Sequence, residues 1–423
     1  MSRPRAAIVV TGSELVRGER TDRNGPFYAR EALSLGLVPE RILIVGDDPV
    51  DLEAALRAAR ESPVCLVSGG LGPTHDDRTV ELVARVAGAA LRVDERLERE
   101  IEAVSRSVAE RLGRPYADFA AGVAKQATIP EGAEVIGIAG TAPGLVVRGG
   151  GCVFVVLPGP PGELRRLWPA ALASEALGAV LARTVPPSRH VLRFYGASES
   201  AVARALAEAG GDGHGVEATI CARDFEIHVD LVVEPGAEER GDSLAEALRG
   251  PLARHLFTED ERTIAEIVLD LCRPQGLRLG TAESCTGGLV AARLTDVAGA
   301  SDVFAGGVVA YANDVKAAEL GVPEELLAAH GAVSAEVAAA MAGGVRRRFG
   351  VDVGIAVTGV AGPGGGTPEK PVGLVHYHVS APGLEKGREF SLPSDRETIR
   401  SRATVASLHL ARRVLTRSRH EVV

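Results

Sequence analysis

Apolar and polar positions alternate along the first 175 residues in a pattern that predicts strands and helices in succession. Short apolar runs at 6–11, 41–45 and 64–68 read as strands. Between the last two, Asp48-Pro49 predicts a helix start, with the acid at the N-cap and proline at the first helical position. Leu52 and Leu56 then share one helical face. A longer helix is predicted over about 94–112, where Leu97, Ile101, Val104, Val108 and Leu112 recur at helical spacing and Gly113 stops the run. Strand, helix and strand in turn argue for a three-layer α/β domain.

The texture changes near Pro186-Pro187. Residues 190–195 and 226–233 read as strands flanking a helix at about 199–209, a small α+β segment ending near Leu256. A second α/β pattern follows. The spacing of Thr258 and Glu261 predicts a capping box before a helix carrying Ile264, Val268 and Leu271. Strands are predicted at 277–282, 307–311, 353–357 and 373–379, and a helix at 334–349. A last helix opens on Ser394 and Glu397 and carries Ile399, Ala403, Ala406, Leu410 and Val414. The tail after Arg417 is expected to fray. The fold class expected is α/β: two three-layer domains, 1–175 and 257–417, joined by a small α+β domain, 176–256.

Composition narrows the function. Hydrophobic residues make up 46% of the 423 and charged residues 24%, ordinary for a globular chain. Gly is high at 50 and aromatics are only 4%, which favours tight phosphate-type turns over base-stacking platforms. The net charge of −9 gives no overall attraction to nucleic acid or anionic lipid. None of the five cysteines forms a CxxC pair, which excludes a zinc ribbon and a disulfide framework and fits a reducing cytoplasm. No stretch approaches 18 uninterrupted apolar residues, so no membrane partner is expected.

The segment GGLGPTHDD (69–77) follows a strand and precedes a helix. Its glycines let backbone amides approach a phosphate, so Gly69, Gly70, Gly72 and Thr74 are candidate binding residues. Asp76 and Asp77 in such a loop call for a divalent cation such as Mg²⁺. Asp48, at the end of a neighbouring strand, is placed to share it, because open α/β sheets bind ligands at strand ends. The plain alternative is that Asp48 and Asp77 are helix caps. GTAPG (140–144) and LPGPPGEL (157–164) are Pro/Gly turns that bring Glu163, with Glu14, toward the same cleft.

TAESCTGG (281–288) is again strand, turn and helix. Ser284, Cys285 and Thr286 fall where a helix N-terminus would hold an oxyanion or a phosphate, although Ser and Thr are also ordinary caps. FAGGVVAYANDVK (304–316) adds Tyr311 and Lys316. VTGVAGPGGGTPEKPVG (357–373) adds Thr358 and a glycine loop that is not a Walker loop. Serine, tyrosine and lysine suffice for amide hydrolysis without histidine. A desolvated neutral lysine, directly or through Tyr311, takes the proton of Ser284. Cys285 is the rival nucleophile. No ligand cluster marks residues 257–423, so no cofactor is expected there.

These motifs, together with TGSELVRGERTDRN (11–24) and VGDD (45–48), resemble the competence/damage-inducible CinA family. The resemblance implies a molybdopterin-binding-like first domain that in some members is a metal-dependent ADP-ribose pyrophosphatase. Asp48 and Asp77 then match the acidic positions of its site, and Glu14 and Glu163 its rim. The family's asparagine-proline pair before GTAPG is replaced here by Ile138 and Ala139. Residues 257–415 resemble the family's nicotinamide mononucleotide (NMN) amidohydrolase domain. By that resemblance Ser284 is the nucleophile, Tyr311 and Lys316 activate it, and Thr358 orients the amide. Arg400 touches the substrate phosphate, with Arg396 and Arg402 as substitutes. Glu283, Thr286, Gly287, Gly288, Gly359, Gly362 and Gly364 complete the expected substrate-binding set.

The middle segment resembles a KH-type domain, and GGDG (210–213) fits its loop. Yet residues 184–252 carry 6 Arg, no Lys and 12 Asp/Glu, the wrong sign for a phosphate backbone. Nucleic acid is therefore not an expected partner; small nucleotides and a second copy in a homodimer are. The reading is a bifunctional pyridine-nucleotide salvage enzyme. Its alternatives are a pterin- or nucleotide-binding protein, resting on fold analogy, or a non-enzymatic competence or recombination adaptor.

Overall fold

The computed structural model describes residues 3–420, with side chains through Thr416. It divides into two compact units. One comprises the chain up to Ser188 with Glu234–Gly236; the other comprises Arg189–Val233 and the chain from Ala237 onward.

The first unit is built on a six-stranded sheet. Its order is Val38–Val45, Arg5–Thr11, Val64–Ser68, Cys152–Leu157, Ala142–Gly149 and Glu134–Ala139. The first four strands are parallel and the last two antiparallel. Helices cover both faces, so the central strands are buried throughout and read as unbroken apolar runs. The strand period of two sorts their side chains. Ala7 and Val9 pack with helices Pro49–Ala59, Thr79–Ala87 and Glu95–Leu112, whereas Ala6, Ile8 and Val10 pack with Asn24–Ser34 and Pro161–Leu172. The two antiparallel strands narrow the turn expected at 140–144 to Gly140-Thr141, between the paired Ala139 and Ala142. Ala142-Pro143-Gly144 lies inside a strand, and a Cβ on Gly144 would meet Ile136 at 3.0 Å and Leu157 at 3.1 Å.

The second unit holds two sheets. The smaller orders Val216–Arg223, Glu226–Val233, Ser188–Tyr195 and Leu256–Thr258, backed by helices Glu199–Glu208 and Glu238–Leu252. The GGDG loop closes the first of these helices, and Arg240 donates to the carbonyls of Ala209 and Gly211. The larger sheet orders Phe304–Val309, Leu279–Glu283, Val353–Gly359, Leu374–Ala381 and Leu384–Ser391. Its first three strands are parallel. Helices Ile264–Cys272 and Arg396–His420 cover one face, and Ala335–Phe349 with Asn313–Leu320 the other.

Two predicted helix starts move. The capping box is Thr263 with Glu266, because Thr258 ends a strand and bonds Asp260 instead. The last helix begins at Arg396, with Asp395 rather than Ser394 bonding the Thr398 N–H. The edge strand is Phe304–Val309, displaced toward the N-terminus from 307–311 because Ala310 and Tyr311 already turn toward the next helix. The last helix continues past Arg417 to His420, and residues 421–423 lie outside the described ones. Among the described residues no helix is long and apolar enough to cross a membrane.

Along Arg396–His420 one buried polar residue meets the smaller sheet. His409 stacks on Tyr195 at 3.7 Å and donates from Nε2 to Glu226 at 2.7 Å, while His228 donates to the other oxygen of Glu226 at 3.1 Å. Burial pushes the His409 pKa down to about 4, against the opposing pull of Glu226. The histidine is therefore neutral when folded at pH 7, and the unfolded chain takes up its proton first as pH falls. Stability from this site is present above the unfolded value near 6.5 and declines as pH falls toward 4. A thermal melt followed from pH 7.5 to 4.5 is expected to drop steadily. His409→Gln, which keeps a donor but does not titrate, should flatten that drop.

Candidate functional sites

In the first unit the carboxyl ends of the four parallel strands open into a cavity of about 780 Å³. It lies where the strand order reverses, the expected ligand position in an open α/β sheet. Gly69 and Gly70 are forced to be glycine here: both have positive φ, +103° and +65°. Cβ atoms would stand 2.4 Å from the Thr11 carbonyl oxygen and 2.2 Å from Thr79 Oγ1. Asn24 ties the strand ends together, donating to Ser68 Oγ at 2.8 Å and to the Gly159 carbonyl at 2.7 Å. Gln126 donates to the Leu71 carbonyl at 2.8 Å, and Lys125 to that of Thr74, so one helix holds the glycine loop at two points.

The structure separates the two adjacent acids at the second strand's end. Asp48 is exposed, caps the helix through the Val50 and Asp51 N–H groups, and does not line the cavity. Asp47 does line it, accepting from Thr11 Oγ1 at 3.1 Å, Ser13 N at 2.9 Å and Ser13 Oγ at 2.7 Å. The structure thus places Asp48 at a helix cap outside the cavity and Asp47 inside it. Asp77 lines the cavity and accepts from the Thr74 N–H at 3.0 Å and from its hydroxyl. Thr74 itself does not line the cavity and bonds Asp76 and Asp77, which do. Gly72 is packed under Asp77, 2.4 Å from a would-be Cβ. Glu14 and Glu163 both line the cavity, and burial pushes the Glu163 carboxyl pKa up. Among the described residues no three His, Cys, Asp or Glu side chains converge to hold a metal ion.

In the second unit the turn after Leu279–Glu283 occupies the corresponding carboxyl edge. Lys316 is 1% exposed, and its Nζ lies 3.1 Å from Ser284 Oγ, 2.8 Å from the Ala310 carbonyl and 3.2 Å from that of Tyr311. Burial lowers the Lys316 pKa. Nζ thus has three oxygen partners, and burial disfavours its charged form.

Four predicted residues have other tasks. Glu283 is buried, and its carboxylate accepts from the N–H groups of Gly288, Val290 and Ala291 at 2.8–3.0 Å. The positive end of helix Leu289–Thr295 is thereby filled from within the chain, so it is not the phosphate or oxyanion site expected. Tyr311 does not link lysine to serine; its ring is 62% exposed and its hydroxyl accepts from Arg396 Nη2 at 3.1 Å. Thr358 is buried and donates to the Ala332 carbonyl at 2.7 Å, which fixes a loop rather than a ligand. Cys285 sits in the core, its thiol pushed up to about 12 by burial, so it holds no nucleophilic thiolate at neutral pH.

The three arginines divide similarly. Arg400 braces the turn, donating to the carbonyls of Cys285 at 3.1 Å and Thr286 at 2.9 Å. Arg396 also donates to the Gly362 carbonyl at 2.7 Å. Arg402 lies over the Phe225 ring, 4.6 Å from its centre. Thr286 is buried beneath this brace, Gly287 and Gly288 have positive φ, and Gly364 stands in open space. Gly359 allows the close approach of the Leu374 carbonyl, 2.8 Å from a would-be Cβ. Asp47, Asn24 and Gln126 are the site residues that sequence reasoning did not single out.

Two such sheets in one chain define a multidomain α/β protein, and family models match both. Residues 7–177 match the model described as "Probable molybdopterin binding domain", and residues 261–415 the "CinA C-terminal domain". A CinA-like protein of Mycolicibacterium gilvum is 46% identical, over 97% of this chain and 99% of its own length. Another, from Mycobacterium tuberculosis, is 45% identical over 97% of each. The crystal structure of the competence/damage inducible protein CihA from Agrobacterium tumefaciens is 42% identical. It covers 36% of this chain and 96% of its own, with a TM-score of 0.34. The chain belongs to the CinA family.

The division between Asp47 and Asp48 is open to test by urea denaturation. Asp48→Ala loses one exposed cap and should cost about 1 kcal/mol. Asp47→Ala strands the Thr11 and Ser13 donors and should cost more, about 1–3 kcal/mol.

Proposed function

We propose that the second unit is an amidase acting on nicotinamide mononucleotide without a metal. The observation that supports this most is the buried Lys316 amine against the Ser284 hydroxyl. Ser284 Oγ attacks the carboxamide carbon while Lys316 takes its proton. The oxyanion is left to the N–H groups of Cys285 and Thr286, since the helix behind them is filled by Glu283. Collapse breaks the C–N bond, and Lys316 returns the proton to the departing ammonia. Water then cleaves the acyl-serine, giving nicotinic acid mononucleotide. Arg396 and Arg400 are the cations beside the turn for the substrate phosphate.

Ammonia release from NMN is expected in the presence of EDTA and to vanish in Ser284→Ala, with Cys285→Ala remaining active. Lys316→Met should lower kcat by about 10²–10⁴-fold, the usual contribution of a positioned base. Because the amine must be neutral, wild-type kcat/KM should rise with pH through a midpoint below the ordinary lysine value. Loss of activity on chelation, or a rate independent of Ser284, would refute this reading.

For the first unit we propose cleavage of ADP-ribose to AMP and ribose 5-phosphate with a divalent cation. The donors fit a Mg²⁺-type ion held by one or two carboxylates and completed by water and phosphate oxygens. Of the acids lining the cavity Asp77 would hold it, with water and phosphate oxygens completing its shell, and a cation near Glu163 would offset the cost of burying that carboxyl. Bound there, the ion would share the charge of the pyrophosphate oxygens. Gly69 and Gly70 let the loop pack closely on Thr11 and Thr79 at the cavity wall, and Asn24 and Gln126 hold that loop for the phosphates. Asp77→Ala is expected to abolish ADP-ribose cleavage while ammonia release continues; loss of both in a folded variant would contradict separate sites.

A further inference from the structure

Three consecutive residues at one hairpin tip reach out of the smaller sheet of the second unit. The hairpin joins Val216–Arg223 to Glu226–Val233. Asp224 accepts from Arg293 Nη2 at 3.3 Å, the Phe225 ring lies under the Arg402 guanidinium, and Glu226 accepts from His409. Arg293 lies on Leu289–Thr295, the helix that leaves the Ser284 turn. Arg402 and His409 lie on Arg396–His420, the helix that carries Arg396 and Arg400. The tip therefore grips both helices that flank the turn.

The grip is held against backbone preference. Asp224 and Phe225 have φ of +49° and +65°. Two-residue hairpins favour Asn-Gly here because a Cβ resists this conformation, and a bulky aromatic resists it more. Such strain persists where surrounding contacts over-determine it. At Phe225 that contact is the ring face under Arg402, two residues beyond the arginine that braces the Cys285 and Thr286 carbonyls. A glycine would suit the turn better, yet it would leave Arg402 without its platform.

We propose that this hairpin tip is a positioning element for the second unit's site. It fixes the first turns of Arg396–His420, and so fixes where Arg396 and Arg400 stand beside Ser284. It touches no substrate; it acts through the arginines that face the substrate's anionic end. The inference rests on the amidase reading for that substrate, and on the structure alone for the grip.

Phe225→Gly is the discriminating variant, because it relaxes the backbone while deleting the ring. In the full chain its thermal midpoint should match or exceed that of wild type. Its KM for nicotinamide mononucleotide should rise about two- to five-fold at unchanged kcat, the range of one exposed cation–π contact. Phe225→Tyr, which keeps the ring, should restore KM. A mere loss of folded enzyme would lower kcat and leave KM alone, and that result, like wild-type KM in Phe225→Gly, overturns the proposal. Amide hydrogen exchange separates the two readings. Phe225→Gly should speed exchange along 285–295 and 396–402 whether or not ammonia is released. Faster exchange in a protein inert toward NMN would sink the amidase reading and leave the grip standing; unchanged exchange would sink the grip.

Discussion

A lysine amine removed from water must either find partners for its charge or give the charge up. Lys316 is one of four lysines among 47 cationic side chains, and it is almost wholly buried. Two carbonyls at the end of an edge strand and one serine hydroxyl are its only hydrogen-bond partners among the described residues. Burial of this kind is expensive for an ammonium and tolerable for an amine. Much of the surrounding architecture keeps that small polar pocket from collapsing. Strand Phe304–Val309 delivers the carbonyls, helix Asn313–Leu320 delivers the lysine, and the Glu283 carboxylate and Arg400 guanidinium clamp the serine turn from either side.

The two large sheets solve the same problem differently. Each presents a strand–turn–helix connection at the point where strand order reverses. In the first unit the connection is a glycine loop packed closely on Thr11 and Thr79, and its backbone borders an open cavity. In the second the equivalent space is taken by the chain's own carboxylate. The first opens into a roomy cavity lined by acids, and the second sets a buried lysine against a serine. Similar topology therefore does not imply similar chemistry.

Strand and helix succession was legible because parallel strands buried on both faces are long apolar runs and their helices repeat at 3.6 residues. The antiparallel additions were not, because Ala142-Pro143-Gly144 carries turn residues inside a strand and Leu384–Ser391 is half charged. Helix starts failed where two candidates overlapped: Thr258-x-x-Glu261 and Thr263-x-x-Glu266 have the same form, and only the strand before them decides. At the sites, Ser284 and Lys316 could be singled out from strand-end position and residue type, and the structure brings them together. Tyr311 could not be excluded that way, since its carbonyl points at Lys316 while its ring points to solvent. Asp47 and Asp48 are identical in type and adjacent, so only the backbone turn between them assigns one to the cavity and one to the helix.

Glu283 is an anion that can never dissociate. A helix end that would otherwise recruit sulfate, phosphate or a stray metabolite is permanently occupied by a tethered competitor. The turn after Ser284 therefore has its helix end neutralised from within the chain, while Arg400 on another helix rests its guanidinium on the carbonyls of that turn. An anion approaching this turn would meet arginine side chains, which can move, rather than a helix end, which cannot.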